Sequence, residues 1–231
     1  MNLLEQYCII LYYDSPQRRA GDTSEVDILK IIGLTGPSGS GKGYVCKILA
    51  AHGIPSVDTD AVYHSLLCPP SACLDELRLT FGDGVITAGG TLDRRALAAI
   101  VFSDKRQLAL LNAVTHKYIL ARTDVLLEDF RRQGAPAAVV DAPALFESGY
   151  DAHCDFVIAV TADRSVRLGR IMARDELTED AASHRIDGQP TDDFYTSRAK
   201  YTVQNNGDDD KLADELRCIM SQENILCAEN A

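Results

Sequence analysis

Ile31-Ile32-Gly33-Leu34-Thr35-Gly36-Pro37-Ser38-Gly39-Ser40-Gly41-Lys42-Gly43 is the stretch on which the reading of this chain turns. An apolar, β-branched run breaks into a glycine-rich loop. Val45, Ile48 and Leu49 then follow at helical spacing, so strand, loop and helix come in the order a phosphate-binding loop requires. Glycines let successive backbone N–H groups turn inward around phosphate oxygens, the helix N-terminus adds partial positive charge, and Lys42 reaches the terminal phosphates. The nucleotide is therefore expected on Gly36, Gly39, Ser40, Gly41, Lys42, Gly43 and Tyr44. One position departs from the pattern: the residue after Lys42, usually a Ser or Thr that ligates Mg²⁺, is Gly43.

Working outward, the chain alternates helices with short apolar strands that end in acid. Residues 43–52 read as a helix with Gly53 at its C-terminal cap, and residues 55–60 as a short strand. In an extended segment Asp58 and Asp60 point to one side. The C-terminal end of a parallel neighbour lies at the same sheet edge as the phosphate loop, so both carboxylates are expected to face the nucleotide. A plainer reading has Asp60 capping a helix over 61–67. Residues 137–141 form a buried strand ending in Asp141, the pattern of an acid that holds Mg²⁺ or its water, or else of a turn aspartate before Pro143. Residues 156–160 and a weak strand at 202–203 complete the set, followed by the turn Asn205-Asn206-Gly207 and a helix from Lys211.

Two stretches exceed simple crossovers. Residues 71–133 are mostly helical, with Ser71, Asp93 and Ser103 as caps, and read as a substrate-covering subdomain. Arg164, Arg167, Arg170 and Arg174 recur every three to four residues on one helical face, with Arg185 beyond. Guanidinium groups grip phosphate in bidentate fashion, so a helical hairpin carrying them reads as a lid over a triphosphate. The alternative is a solvated face paired with Asp175, Glu176, Glu179 and Asp180.

With 231 residues the chain is long enough for one α/β domain with an inserted subdomain. Its net charge of −11 argues against sequence-independent nucleic-acid binding and against an anionic membrane surface, but leaves a phosphorylated small molecule open. Seven cysteines without a C-x-x-C pair suit reduced thiols in a cytoplasm, and His64, Cys68 and Cys73 match no zinc spacing. Residues 1–27 read as an N-terminal extension. Its apolar segment Tyr7-Cys8-Ile9-Ile10-Leu11-Tyr12-Tyr13 is an edge-strand candidate, followed by a polar linker at 16–24. It lacks the basic region and cleavage site of a signal peptide, and no stretch of the chain reaches membrane-span length.

Taken together these pieces resemble the dephospho-CoA kinase family over residues 31–226. The resemblance rests on the loop and on Ile54-Pro55-Ser56-Val57-Asp58-Thr59-Asp60 with His64 downstream. It continues through Thr91-Leu92-Asp93-Arg94-Arg95-Ala96-Leu97-Ala98-Ala99-Ile100-Val101-Phe102 and Leu111-Asn112-Ala113-Val114-Thr115-His116. Asp141-Ala142-Pro143-Ala144-Leu145-Phe146-Glu147-Ser148-Gly149, residues 170–175 leading to Gln189, and Ala199 with Asn205 follow in the same order. It implies a P-loop kinase: a five-stranded parallel sheet in the order 2-3-1-4-5, a helical CoA-binding insert at about 62–133 and a lid at about 164–192. It implies ATP and Mg²⁺ as cofactors and dephospho-CoA as the small-molecule substrate, with Asp60 as general base, Lys42 as phosphate-binding lysine, Arg174 as lid arginine and Arg170 as a weaker candidate. Asp58, Phe102, His116, Phe146 and Glu147 fall in motifs lining the acceptor side, and Asp58 with Asp141 is the expected metal pair. Four residues depart from the family pattern: Gly43-Tyr44 replaces Ser-Thr, Lys117 replaces a proline, and Arg167 stands where glutamine is common. Another small-molecule or nucleoside monophosphate kinase, or an inactive nucleotide-binding module, are the competing readings.

Overall fold

The structure is a computed structural model and describes residues 29–225. The expected edge strand within 7–13 and the linker at 16–24 lie outside the described residues.

The glycine-rich stretch forms β1 (Lys30–Thr35), the loop, and α1 (Lys42–Ala51). β2 (Ser56–Asp58) and α2 (Thr59–Leu66) follow at once. α3 (Ala72–Phe81), α4 (Arg94–Val101) and the long α5 (Lys105–Arg132) make up the helical insertion. β3 (Ala137–Asp141) and β4 (Phe156–Thr161) return to the sheet. α6 (Arg164–Asp175), α7 (Glu179–Asp187) and α8 (Asp192–Thr196) lead to β5 (Tyr201–Gln204) and α9 (Asp209–Gln222).

All five strands pair in parallel in the order β2-β3-β1-β4-β5, as the resemblance implied. Central strands buried on both faces need apolar side chains at every position, which is why 137–140 and 156–160 read as continuous runs. Alternation then sends Val139 to one core with Ile32, Leu34, Val45 and Leu216, and Val140 to the other with Val57, Leu127 and Leu145. A third apolar cluster, with Leu77, Leu97, Leu111 and Val114, belongs to the helical insertion, and a small fourth, of Ile171, Ala182 and Ile186, joins α6 to α7. At 1.5 Å per residue α5 is about 42 Å long. It contributes Leu111 to the insertion's core and Leu127 to the sheet's, and so ties the two together.

Local expectations were corrected at several element ends. The strand beginning near Pro55 stops at Asp58, and Asp60 lies in the first turn of α2, so the two carboxylates do not share one face of an extended segment. Asp58, not Asp60, caps α2: its Oδ1 accepts from the N–H groups of Asp60 (2.9 Å) and Ala61 (3.0 Å). Ser71 and Asp93 cap their helices as read, but Asp104 displaces Ser103 as the cap of α5. α9 begins at Asp209, ahead of Lys211, because Asp208 caps it.

Candidate active site

The carboxyl ends of β1, β2 and β3 converge on one cleft of about 1070 Å³. Parallel register sets Leu34 opposite Asp141 and Asp58 opposite Asp141, so two acids from separate strands stand beside the phosphate loop. The side chain of Thr59 donates to the Asp141 carbonyl at 3.0 Å and that of Thr35 to the Pro143 carbonyl at 3.2 Å, fixing the strand ends against each other.

Within the loop, the glycines differ in what they must be. A Cβ on Gly36 would lie 2.1 Å from the Val160 carbonyl oxygen, one on Gly39 2.8 Å from that of Arg167, and one on Gly41 2.1 Å from Asn205 Nδ2. All three have positive φ. Lys42 Nζ donates to the Gly36 carbonyl at 3.1 Å and spans the loop it is expected to serve. Ser40 is fully buried, and its carbonyl accepts from Arg170 (3.2 Å) and Asn205 Nδ2 (3.0 Å). Arg170 Nη1 also donates to Gly39 (3.2 Å) and Asn205 (2.9 Å) carbonyls. It lines the cleft, yet these contacts make it a buttress of the loop.

Asp141 carries the strongest electrostatic signature. Burial pushes its carboxyl up to about 6; nearby Lys42 opposes the shift, and Asp58 and Asp60 add to it. Its Oδ1 is buried without a hydrogen-bond partner, and its Oδ2 accepts from the Cys46 thiol at 3.9 Å. Burial pushes that thiol up to about 12, so it stays protonated and supplies its proton to this hydrogen bond. A buried acid with an unsatisfied oxygen, beside two further carboxylates and a lysine, is chemistry that a divalent cation fits.

Glu147, Phe194 and Tyr195 also line the cleft. Burial raises the Glu147 carboxyl, and its Oε2 has no hydrogen-bond partner. The Phe146 ring packs edge-on against Phe194 at 6.2 Å, one layer behind the cleft surface. Phe102, at the C-terminal cap of α4, and His116, midway along α5, lie on the insertion and not on this cleft's lining. His64 Nδ1 lies 2.8 Å from Arg94 Nη2; arginine can only donate, so Nδ1 accepts. Tyr44 lines the cleft, and the Asp209 carboxylate near its hydroxyl holds the phenol above its usual range. No group of three or more His, Cys, Asp or Glu side chains is arranged as a metal cluster among the described residues, His64, Cys68 and Cys73 included.

Sequence reasoning gave no role to Ser38, where the arginine-bearing hairpin is tied to the loop. The Ser38 N–H donates to Gln189 Oε1 (3.1 Å), its carbonyl accepts from Arg167 Nε (3.0 Å) and its Oγ accepts from Arg174 Nη2 (3.2 Å). Arg167 is buried and also donates to Gln189 and Asp192, which explains why it is not on the solvated face that helical spacing alone allowed. Its replacement of a common glutamine was the one available signal.

Similarity to known proteins agrees with this geometry. A family model for dephospho-CoA kinase matches residues 30–211. Curated dephospho-CoA kinases from Moorella thermoacetica and Corynebacterium glutamicum are 42% and 40% identical over 179 and 176 residues. The first alignment spans 77% of this chain and 84% of the relative, the second 76% and 88%. Among solved structures, TT1252 from Thermus thermophilus superposes with a TM-score of 0.69 at 33% identity, over 87% of this chain and 99% of that one.

Proposed function

The chain belongs to the dephospho-CoA kinase family, and from that premise we propose that it transfers the γ-phosphoryl group of ATP to the ribose 3′-hydroxyl of dephospho-CoA, releasing ADP and coenzyme A. The observation that carries this reading is convergence: the loop with Lys42, the carboxylates Asp58, Asp60 and Asp141, and Arg174 reach one cleft from five separate elements. In the transfer the 3′-oxygen forms a bond to the γ-phosphorus while the bond from that phosphorus to the β–γ bridging oxygen breaks. Asp60 orients the hydroxyl and takes its proton as the new bond forms. Lys42 and Arg174 hold the transferring charge, and Arg170 keeps the loop carbonyls turned away from it. Asp58 and Asp141 would hold Mg²⁺, which when bound neutralises β- and γ-phosphate oxygens. Glu147 and Phe194, backed by Phe146, meet the acceptor, with Phe102 and His116 serving its more distant portion on the insertion. We place the reaction in the cytoplasm on the unpatterned cysteines, alongside the fact that no described helix is long and apolar enough to cross a membrane.

ADP release measured with dephospho-CoA, with AMP and without acceptor tests the assignment, run in parallel on Asp60→Asn. Turnover is expected with dephospho-CoA alone, and Asp60→Asn is expected to lower kcat roughly 10²-fold with little change in the KM for ATP. Strong AMP-dependent turnover would move the chain to the monophosphate kinases. A fully active Asp60→Asn would reduce that residue to part of a helix turn.

A further inference from the structure

Beyond the loop and its acids, the cleft has a second cationic feature. Arg174, near the end of α6, and Arg185, on α7, both line it, yet they belong to different helices. What joins them is Asp175, which is not part of the lining. Its Oδ1 accepts from Arg174 Nε at 2.9 Å and its Oδ2 from Arg174 Nη2 at 2.8 Å, while Oδ2 also accepts from Arg185 Nη1. The aspartate side chain is only 12% exposed. On the far side Arg174 Nη2 reaches Ser38 Oγ in the phosphate loop.

This arrangement is locally unfavourable. Asp175 is the last residue of α6, where a carboxylate opposes the helix dipole, and Glu176 follows in the left-handed region (φ 53°) where glycine or asparagine is the usual choice. A helix that served only to fold would end otherwise. Such conflicts persist where the surroundings impose them, and here they hold a carboxylate between two guanidiniums.

We propose that Asp175 is a positioning residue that holds Arg174 and Arg185 as one paired clamp for the terminal phosphate of the nucleotide. Two guanidiniums brought to one phosphate repel each other; the carboxylate between them cancels one charge and fixes both planes, so that they face the ligand as a pair. This inference rests on the kinase reading above and adds a residue that does not itself touch substrate.

The test compares Asp175→Asn, Asp175→Glu and, as a control, Asp187→Asn, which removes the exposed Arg164–Asp187 ion pair of the same hairpin away from the cleft. Binding of AMPPNP and of ADP is measured by calorimetry with Mg²⁺ present, together with kcat for dephospho-CoA and thermal midpoints. Asp175→Asn is expected to weaken AMPPNP about fivefold or more with ADP within about twofold, to lower kcat about tenfold or more, and to lower the midpoint only modestly. Asp175→Glu should recover part of the AMPPNP affinity, and Asp187→Asn should match wild type. Parallel loss of both nucleotides with a lowered midpoint would overturn the proposal in favour of a structural role for Asp175. A raised kcat would overturn it in favour of Asp175 holding the arginines away from the nucleotide. If Asp175→Asn does not fold, a Glu variant with an unchanged midpoint and an intact AMPPNP-to-ADP preference supports the proposal, and one that loses this preference overturns it. Because the nucleotide comparison needs no acceptor, a wild-type protein inactive on dephospho-CoA would refute the assigned reaction while leaving this inference readable.

Discussion

Gly43 is the residue at which this chain leaves the usual phosphate-loop pattern, and the structure separates it from its neighbours. Gly36, Gly39 and Gly41 have no room for a side chain, whereas a Cβ on Gly43 meets nothing within 4 Å beyond its chain neighbours. Its backbone is helical, so a serine there is unstrained. Gly43→Ser is therefore expected to lower the Mg²⁺ concentration giving half-maximal turnover at fixed ATP, to keep kcat, and to stabilise the start of α1 by about 0.5 kcal/mol. An unchanged midpoint with lost activity would mean that Asp58, Asp141 and substrate hold the metal without help from this position. At this scale the sequence was legible wherever chemistry is local. Gly36 to Lys42 could be read from spacing, because a loop that wraps phosphate is built from adjacent backbone groups. Arg170 could be read only in part. Helical spacing marked it as a phosphate arginine, and its contacts to Asn205, 35 residues away, add a support of the loop that spacing does not show.

Among the elements, the join between β2 and α2 shows how a cap decides where a strand ends. The acidic pair could be read as extended or as helical. Asp58 closes the strand because its Oδ1 satisfies two N–H groups that α2 leaves open. Asn caps a helix nearly as well as Asp, so charge and cap can be separated. Asp58→Asn should leave stability to urea within a few tenths of a kcal/mol, and Asp58→Ala should cost about 1 kcal/mol. Both should weaken divalent-cation binding, since both remove the charge beside Asp141. Equal stability of the two variants would show that the side-chain cap contributes nothing. The same competition between neighbouring polar residues moved the start of α5 from Ser103 to Asp104. Both residue types cap, but Ser103 Oγ donates to the Ile100 carbonyl at 2.7 Å, and Asp104 accepts from the Arg106 N–H at 2.8 Å instead.

For the whole molecule, the pH dependence of stability carries a signature of the cleft. Asp141 has its folded pKa raised from 3.8 to about 6, so the folded state binds the proton more tightly than the unfolded chain. Stability from this group is undiminished below about pH 4, falls as pH rises through about 4 to 6, and is lower by about 3 kcal/mol at pH 7 in the absence of divalent cation. Asp175, Asp187 and Glu223, held below the usual carboxylate range chiefly by hydrogen bonds from Arg174, Arg164 and Lys200, respectively, act in the opposite direction. The measurement that isolates Asp141 is the difference between wild type and Asp141→Asn in chelator. Asp141→Asn should gain on wild type between pH 4 and 7, and Mg²⁺ should shrink that gain. A difference that does not vary with pH would show that the carboxyl is not desolvated as its burial implies.

By itself the sequence determined the elements: short parallel strands around a phosphate loop, with a helical insertion and an arginine-bearing hairpin, while the strand order 2-3-1-4-5 came from the family resemblance. Strand pattern, turn residues and the glycine loop are written in residues a few positions apart, which is why local spacing reveals them. Tertiary structure decided which polar groups are solvated and which are buried. It placed Asp141 in a desolvated pocket beside Cys46, turned Arg167 and Arg170 inward onto the loop, and brought Asp175 between two arginines of different helices. Those outcomes depend on burial and on partners tens of residues distant, and a charge in sequence carries no mark of the dielectric or the neighbour it will meet once the chain has packed.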